Sequence, residues 1–277
     1  MIYLCYGVTK SASTFLYQIT EEIFSASGLG FCRLSHDGPL QMSNHYDTID
    51  PSLITRIAES AGERPVVLKT HGALHPGVAD MIAAGEVLAS ASIRDPREIA
   101  LSMVDHGRRA RANGEQAFAE VFDPTEALFA LDMQIEIFTR WAGVPQTEVF
   151  TYNEICFDTE ATIRRLARQI GTSVDPARIL APFRNTRMIG QFNIGRPDRA
   201  AEMPAHMQAA FLERYAAFYA RMRFDRDPLK AATTSEHPSR TSPTTRPLRW
   251  LKQEIADHRR LVRRLMHSRN IGIIRPD

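Results

Sequence analysis

The sequence predicts an α/β fold of three layers, in which helices cover both faces of a central parallel sheet of about five strands. Two observations favour this fold. Short apolar runs, mostly rich in β-branched and aromatic residues, alternate along the chain with longer helix-like segments. Polar motifs also follow the ends of three of these runs, and ligands in such sheets bind beyond the carboxyl ends of the strands. The motifs are therefore expected to meet at one edge of the sheet.

Five strands and seven helices are predicted in alternating order. The strands cover 2–8, 31–35, 65–69, 87–93 and 147–152. The helices cover 14–26, 51–61, 76–84, 96–107, 125–142, 159–170 and 204–222. Asp158 and Gly171 suit the two caps of the sixth helix, and Pro204 suits the first turn of the last one. Such alternation is typical of helical crossovers between parallel strands.

The composition is that of an ordinary soluble globular protein, with 44% hydrophobic and 24% charged residues among 277. Because no apolar run approaches about 18 residues, no membrane span is expected. The first residues are strand-like and lack the features of a signal peptide. Cys5, Cys32 and Cys156 lie in apolar stretches without metal-ligand spacing, so we expect buried thiols in a reducing cytoplasm.

A basic segment ends the chain and is expected to be separate from the main domain at 1–229. Residues 230–277 hold 11 Lys and Arg against 4 Asp and Glu, whereas the rest of the chain holds 23 against 28. Residues 230–247 are rich in Ser, Thr and Pro and predict a flexible linker. Residues 248–277 begin with a basic amphipathic helix, for which three interpretations stay open: a solvated helix, a contact in a homo-oligomer, or a peripheral contact with the inner membrane face. No motif indicates nucleic-acid binding.

The first motif is the turn after the first strand, "YGVTKSASTFL". Lys10 supplies a positive charge, and Ser11, Ser13 and Thr14 supply hydroxyl donors just before a helix begins. Backbone N–H groups at a helix N-terminus favour anions, so the turn predicts a P-loop-like phosphate site. It is not a Walker A loop, because the G-K-[ST] triplet is missing. The alternative is a capped helix with a surface lysine.

The second motif, "VVLKTHG", delivers Lys69, Thr70 and His71 to the end of a strand. The ordinary pKa of histidine suits proton removal near neutral pH, so His71 is a candidate general base. The alternative is a surface histidine that follows a strand.

The third motif, "IRDPREIALSMVDHG", places Arg94 at a strand end and Ser102 eight residues later, two turns into a helix. Asp95 suits the N-cap of this helix and Pro96 its first position. An arginine fork and a hydroxyl can bind one phosphate together. The alternative is a well-capped helix with a solvated arginine.

Together these motifs resemble those of the PAPS-dependent sulfotransferases, which transfer a sulfuryl group from 3'-phosphoadenosine 5'-phosphosulfate (PAPS) and release the bisphosphate PAP. "KSASTFL" resembles their phosphosulfate loop K-S-G-T-T-W-L, "KTH" their catalytic segment, and "IRDPREIALSMVDH" their 3'-phosphate segment. "TYNEICFDTEATIRRLARQIG" is similar to their Y-E-D-L segment and the following helix. The resemblance covers roughly 1–225 with the motifs in the same order.

The resemblance implies a role for each matched residue on the 5' side of the nucleotide. The residues around the 5'-phosphosulfate would be Lys10, Ser11, Ala12, Ser13 and Thr14. Phe15 stands where the family has a tryptophan near the adenine. Lys69 would lie near the transferring group, and His71 would be the base. Ala12 replaces a glycine, so the loop must either avoid a positive φ there or bear strain.

On the 3' side, the resemblance implies that Arg94 and Ser102 hold the 3'-phosphate and that Tyr152 touches the adenine. The family's late R-K-G segment is echoed only by "NIGRPDR", in which Gly195 and Arg196 are candidates for a further 3'-phosphate contact. A phosphosulfate carries less charge than the polyphosphate of ATP, which usually needs Mg²⁺. No acidic residue is clearly placed to hold a metal, so none is expected.

Several alternatives stay open at this point. His36 and Asp37 are rivals to His71 as the base, since they follow another predicted strand. The loops 36–50 and 106–124 are expected to form the acceptor pocket, with a carbohydrate or glycolipid preferred as acceptor because the chain has the build of a free-standing bacterial enzyme. Two other function classes remain: a P-loop small-molecule kinase that uses ATP and Mg²⁺, and an inactive nucleotide-binding scaffold.

Overall fold

The computed structural model describes residues 1–33, 44–185, 188–189 and 195–224. All of them belong to the first of two compact units, Met1–Thr234, and the second unit is Ser235–Asp277. The predicted linker at 230–247 and the predicted tail at 248–277 lie outside the described residues, so both stay predictions. Within the described residues, no helix combines the length and the apolar character that a membrane span requires.

The centre of the described chain is a sheet of four parallel strands, which confirms the predicted fold class. The strands are β1 (Ile2–Gly7), β2 (Val66–Thr70), β3 (Leu88–Ile93) and β4 (Thr147–Thr151), in the order β2-β1-β3-β4. Tyr6 is paired with Thr70, and Gly7 is paired with Ser92. The carboxyl ends of β1, β2 and β3 therefore lie side by side, and the three motifs follow them.

The prediction of a strand at 31–35 is wrong for the described part of that segment. Phe31, Cys32 and Arg33 are not in a strand, and residues 34 and 35 lie outside the described residues. The chain still runs beside β2: the N–H of Cys32 donates to Pro65 O at 2.8 Å, and His45 forms a single parallel bridge with Lys69. This single backbone bond from Cys32 does not make a ladder, and the side chain of Arg33 is paired with Glu21. The described sheet has four strands instead of about five.

Ten α-helices surround this sheet in the described part of the chain. They are α1 (Ser13–Ala26), α2 (Pro51–Ala61), α3 (Pro76–Ala83), α4 (Pro96–Asn113), α5 (Leu128–Trp141), α6 (Tyr152–Phe157), α7 (Thr159–Ile170), α8 (Pro176–Leu180), α9 (Ala205–Arg214) and α10 (Ala216–Met222). Proline at the first position and an aspartate N-cap begin α2, α4 and α8, where Asp50, Asp95 and Asp175 each accept a backbone N–H.

Several helices differ from the prediction: α5 begins at Leu128 instead of residue 125, and no helix was predicted at the place of α8. α4 continues to Asn113, six residues beyond its predicted end, and stops at Gly114 in the left-handed conformation. The predicted helix at 204–222 is interrupted at Tyr215, whose φ of −107° and ψ of 23° leave the helical region. The hydroxyl of Tyr215 donates to Asp132 of α5 at 3.0 Å, so a tertiary contact accompanies the break. α6 was not predicted, because its first residue was assigned to the preceding strand.

Helices cover both faces of the sheet, as predicted. On one face, Tyr3 and Cys5 of β1 pack in a buried cluster with α1 and α7. On the other face, the ring of Tyr6 stacks on Trp141 of α5, with ring centroids 5.1 Å apart. The indole N–H of Trp141 donates to Gly72 O at 3.1 Å, which ties α5 to the end of β2. Burial of such aromatic rings contributes about 1.5–3 kcal/mol per side chain.

Candidate active site

The turn after β1 is closed by Ser11 and has no room for a side chain at Gly7. The Ser11 hydroxyl donates to Val8 O at 2.6 Å and lies 2.8 Å from the hydroxyl of Ser92. A Cβ on Gly7 would lie 2.3 Å from Ser13 Cβ and 2.4 Å from Ser92 Oγ. Close approach, and not a positive φ, is therefore the reason for glycine here. The Ser11 side chain holds the turn closed, and its contact with a phosphosulfate stays a prediction.

Two residues of this turn adopt the left-handed conformation. Lys10 has a φ of 65°, and Ala12 has a φ of 64° and a ψ of 21° at the N-cap of α1. Of the two outcomes expected for Ala12, the chain therefore bears the strain, which costs about 1–2 kcal/mol for an L-residue. Turns of this kind direct N–H groups into a concave anion site. Ala12 supplies no side-chain cap, so the first N–H groups of α1 have no acceptor from the N-cap side chain.

Lys10 reaches across the turn to a histidine and an aromatic ring. Its Nζ lies 2.7 Å from Nδ1 of His106 and 4.8 Å from the ring centroid of Phe118. Burial, followed by the charges of Arg109 and Lys69, lowers the pKa of Lys10 to about 8. The ammonium of Lys10 therefore loses its proton at a lower pH than that of an exposed lysine, and a bound anion would stabilise its charged form.

Lys69 is the second cation of this side. Only 3% of it is exposed, and its Nζ donates to Thr14 Oγ1 at 2.9 Å. Burial lowers the pKa of Lys69 to about 8. The contact joins the second motif to the first, because the end of β2 lies beside the start of α1.

His71 follows β2 and is held by the backbone of β1. Its Nδ1 lies 2.5 Å from Gly7 O. Because a carbonyl oxygen can only accept, Nδ1 carries the proton, and Nε2 of the neutral ring keeps its lone pair. Burial and the charge of Lys69 lower the pKa of His71 to about 4, although the bond to Gly7 acts in the opposite direction. His71 is therefore neutral at pH 7.

A further histidine lies beside His71. The rings of His45 and His71 are 5.5 Å apart between centroids. The backbone around His45 is close to that around Gly72, where a Cβ would lie 1.8 Å from Asp47 O. The glycine of "KTHG" thus admits the segment 45–47 to the site. The rival bases His36 and Asp37 lie outside the described residues.

Arg94 directly follows β3, and unlike Lys10 and Lys69 it is paired with a carboxylate. Its Nε donates to Glu98 Oε2 at 2.8 Å, and its guanidinium lies 3.7 Å from the ring centroid of Tyr152. Its Nη2 also donates to Arg196 O at 3.3 Å. Arg94, Glu98, Tyr152 and Phe224 all line a small cavity. Arg94 and Tyr152 thus lie together in the structure, and their contacts with a nucleotide stay predictions.

The other residues expected on the nucleotide have different surroundings. Arg196 reaches Arg94 through its carbonyl, while its own side chain lies 3.5 Å from Glu202. Ser102 is buried in α4, and Gly195 has a φ of 64°. Phe15 is 8% exposed, and its ring packs edge-on against Phe183 in the core. Their contacts with a nucleotide stay predictions.

One side of α4 links the two parts of the site. Glu98, Ser102 and His106 recur at intervals of four residues, so they share a helix face. Glu98 contacts Arg94 and His106 contacts Lys10. Ser102 lies between them, about 6 Å along the helix from each. Neither Glu98 nor His106 was predicted as a site residue, although their four-residue spacing from Ser102 was a usable signal.

Gln134 of α5 is another residue that the sequence did not indicate. Its Oε1 accepts from both the N–H and the hydroxyl of Thr9, at 2.8 and 2.9 Å. It thereby fixes the residue before Lys10. No local pattern predicts this contact, since 125 residues separate the two positions.

No protein-family model and no curated protein matches the chain. Solved structures do. Retinol dehydratase in a complex with retinol and PAP is 14% identical, with 87% of this chain and 83% of that chain covered and a TM-score of 0.45. Mouse sulfotransferase SULT7A1 complexed with PAP is 12% identical (84% and 88% covered, TM-score 0.47). A sulfotransferase from Alicyclobacillus acidocaldarius is 19% identical (82% and 98% covered, TM-score 0.44). All three structures are less than 20% identical to this chain, and all three TM-scores are below 0.5.

Proposed function

We propose that the protein is a sulfotransferase that moves a sulfuryl group from PAPS to a hydroxyl or amine of an acceptor, with His71 as the general base. The observation that carries the proposal is the contact between His71 Nδ1 and Gly7 O at 2.5 Å. It orients a neutral imidazole with its Nε2 lone pair available, directly beside the turn that suits an anion. The imidazole also lies within the electrostatic influence of the buried Lys69.

The residues of the site fit an anionic donor. Lys10 and Lys69 are partly or wholly buried, and each contacts neutral groups, His106 and Phe118 for the first and Thr14 for the second. Their desolvation is costly without a negative charge nearby, and a bound phosphosulfate would compensate it. The left-handed turn at Lys10 and Ala12 adds backbone N–H donors.

PAPS would supply an activated sulfuryl group whose bridging oxygen takes up negative charge as it leaves. Lys10 and the N–H groups of the turn would stabilise this charge electrostatically. Nε2 of His71 would take the proton of the acceptor hydroxyl or amine, and the Nδ1–H bond to Gly7 O would hold the resulting imidazolium. The anionic donor would also raise the low pKa of His71 towards neutrality, which makes it a stronger base when it is needed.

A carbohydrate or glycolipid acceptor is part of the proposal. The segment 106–124 borders Lys10 through Phe118, and Phe122 in the same segment is 62% exposed. The guanidinium of Arg111 lies 3.8 Å from the Phe122 ring centroid. Exposed rings beside polar groups suit an acceptor that has both apolar faces and hydroxyls.

Thermal shift tests the donor assignment against the kinase and scaffold alternatives. With 3',5'-adenosine bisphosphate at 100 times its Kd and EDTA present, we expect the Tm to rise by about 5–10 °C. Because Lys10 and Lys69 lose their charge above about pH 8, affinity should fall as the pH rises through this value. Stronger stabilisation by ATP with Mg²⁺ would favour the kinase.

Turnover is the second part of this test. The protein is incubated with PAPS and a panel of sugar, phenol and amine acceptors, and the release of bisphosphate is measured by chromatography. Acceptor-dependent release is expected. Binding without release from any acceptor of the panel would favour the inactive scaffold and contradict the proposed activity.

A further inference from the structure

We propose that His106 and Phe118 together form a holder that positions Lys10 for the anionic donor. The inference rests on the proposed function, because it assigns Lys10 to the donor. His106 would act through Lys10 and is a positioning residue, not a catalytic one. Neither His106 nor Phe118 belongs to the motif "YGVTKSASTFL", by which the turn was first identified.

The holder contacts Lys10 from two directions. Nδ1 of His106 lies 2.7 Å from Lys10 Nζ, and the Phe118 ring presents its face to the ammonium at 4.8 Å. The two rings also pack against each other edge-to-face, with centroids 5.3 Å apart at 80°. A cation over an aromatic face gains about 0.5–2 kcal/mol, more as water is removed. The geometry thus fixes the end of a side chain that is otherwise flexible.

The contact defines the protonation of His106. An ammonium has only donors, so Nδ1 of His106 accepts and the ring is neutral with its proton on Nε2. Partial burial, then Lys10 and Arg109, lower the pKa of His106, while Glu115 has the opposite effect. A neutral imidazole adds no charge of its own beside the donor site.

The segment that carries Phe118 is anchored to the same helix as His106. A Cβ on Gly107 would lie 2.2 Å from Phe118 O and 2.8 Å from Val121 O, so glycine permits this approach. Arg111 donates to Ala119 O at 2.7 Å and to Val121 O at 3.2 Å. Phe118 itself has a φ of 60°, a strained conformation that only fixed surroundings maintain. α4 therefore carries His106 and anchors the segment that carries Phe118.

The benefit of the holder is preorganisation. One of the three N–H groups of Lys10 is bound to His106, which leaves two for an anion. Without the holder, a long side chain would lose its rotamer freedom only when the donor binds, at a cost in affinity. We therefore expect removal of the His106 acceptor to weaken donor binding by about 10-fold.

Calorimetry with 3',5'-adenosine bisphosphate and a double-mutant cycle test the holder. His106→Leu should weaken binding by about 10-fold, while His106→Asn, which keeps an acceptor near the place of Nδ1, should stay within about 3-fold of wild type. In the Lys10→Ala background, His106→Leu should change affinity less than 2-fold. His206→Leu, at an exposed position in α9, is the matched control. Equal effects of His106→Leu in both backgrounds would show a merely structural role and overturn the holder.

A ligand-free measurement separates this inference from the proposed function. NMR of protein labelled at lysine Cε follows the titration of Lys10, whose signal is assigned by its loss in Lys10→Ala. We expect the pKa of about 8 to fall further in His106→Leu, because the ammonium loses an acceptor, and to persist in His106→Asn. An identical pKa in all three proteins would refute the holder even if the bisphosphate binds. Absence of bisphosphate binding by wild type would instead refute the donor assignment.

Discussion

The two sides of the site handle positive charge in opposite ways. Beside the β1–α1 turn, Lys10 and Lys69 contact a neutral imidazole, an aromatic ring and a hydroxyl. Beside the β3–α4 junction, arginines are paired with carboxylates: Arg94 with Glu98 at 2.8 Å, and Arg97 with Asp95 at 2.7 Å. The lysines of the first side thus contact neutral groups, whereas the arginines of the second side are neutralised by neighbouring carboxylates.

The difference indicates what each side would contribute to a ligand. Desolvated lysines without carboxylates have lowered pKa values and gain electrostatic energy when an anion arrives. A paired arginine gains less, because its partner already compensates its charge. It offers direction instead, since Glu98 and the face of Tyr152 fix the plane of the Arg94 guanidinium. We expect chemistry and charge stabilisation on the turn side, and recognition on the arginine side.

The largest effect is expected from a variant that impairs catalysis on the turn side and leaves nucleotide binding unchanged. His71→Ala should lower turnover by about 10²–10⁴, the usual contribution of a general base, with nearly unchanged bisphosphate affinity. Since a base must be unprotonated, wild-type kcat/KM should fall on the acid side as the pH drops towards about 4, the pKa of His71 in the free protein. Steady-state kinetics across pH measures both effects.

The exposed His206 provides the control, because His206→Ala should leave turnover and its pH profile intact. Near-normal turnover of His71→Ala would transfer the role of base to another group, such as His36 or Asp37, or remove the base mechanism.

A smaller effect tests recognition on the arginine side. Arg94→Ala should weaken binding of 3',5'-adenosine bisphosphate by about 2–3 kcal/mol, the scale for a lost charged hydrogen-bond partner. Binding of AMP, which lacks the 3'-phosphate, should change much less. Calorimetry with both nucleotides measures the difference.

A matched variant is needed here, since Arg94→Ala leaves Glu98 buried without its charged partner. The double variant Arg94→Ala/Glu98→Gln removes this stability cost and should show the same loss of selectivity. Equal affinities of wild type for AMP and the bisphosphate would be incompatible with a 3'-phosphate site at Arg94.

The smallest effect concerns the strain that the turn side carries. Ala12→Gly should raise the free energy of unfolding by about 0.5–1 kcal/mol, because relief of left-handed strain of about 1–2 kcal/mol exceeds the entropy cost of glycine. Ala58→Gly in the exposed, regular part of α2 should lower it by about 1 kcal/mol. Urea denaturation measures both. A loss of stability in Ala12→Gly would contradict the strain at this position.

The positions of His71, Lys69 and Arg94 followed from the sequence, because short apolar runs locate strand ends and parallel strands bring their ends together. The prediction of a fifth strand at 31–35 was wrong, because a run of five residues does not reveal whether it forms a ladder. The chain beside β2 forms only a single bridge, between His45 and Lys69. The sequence did not predict the break at Tyr215. Helical periodicity reports only local spacing, whereas the break is accompanied by a tertiary contact with Asp132.

The protonation states and the backbone strain of the site could not be predicted from local sequence patterns. The tautomer of His71 depends on Gly7 O, a contact that spans 64 residues, and the contact of Lys10 with His106 spans 96. The sequence posed two outcomes for Ala12, and only the backbone could decide between them. Local composition predicts which chemical groups are present, whereas long-range packing determines how they are oriented.

Gly7 also limits how this turn can evolve. A methyl group there would meet Ser13 Cβ at 2.3 Å and Ser92 Oγ at 2.4 Å. Every residue other than glycine has a Cβ, so accommodating one at position 7 calls for glycine at position 13 and a smaller residue at position 92. Positions 13 and 92 can lose atoms while position 7 stays glycine, but position 7 can change only together with them or after them. Directed evolution at this turn should therefore mutate the three positions jointly.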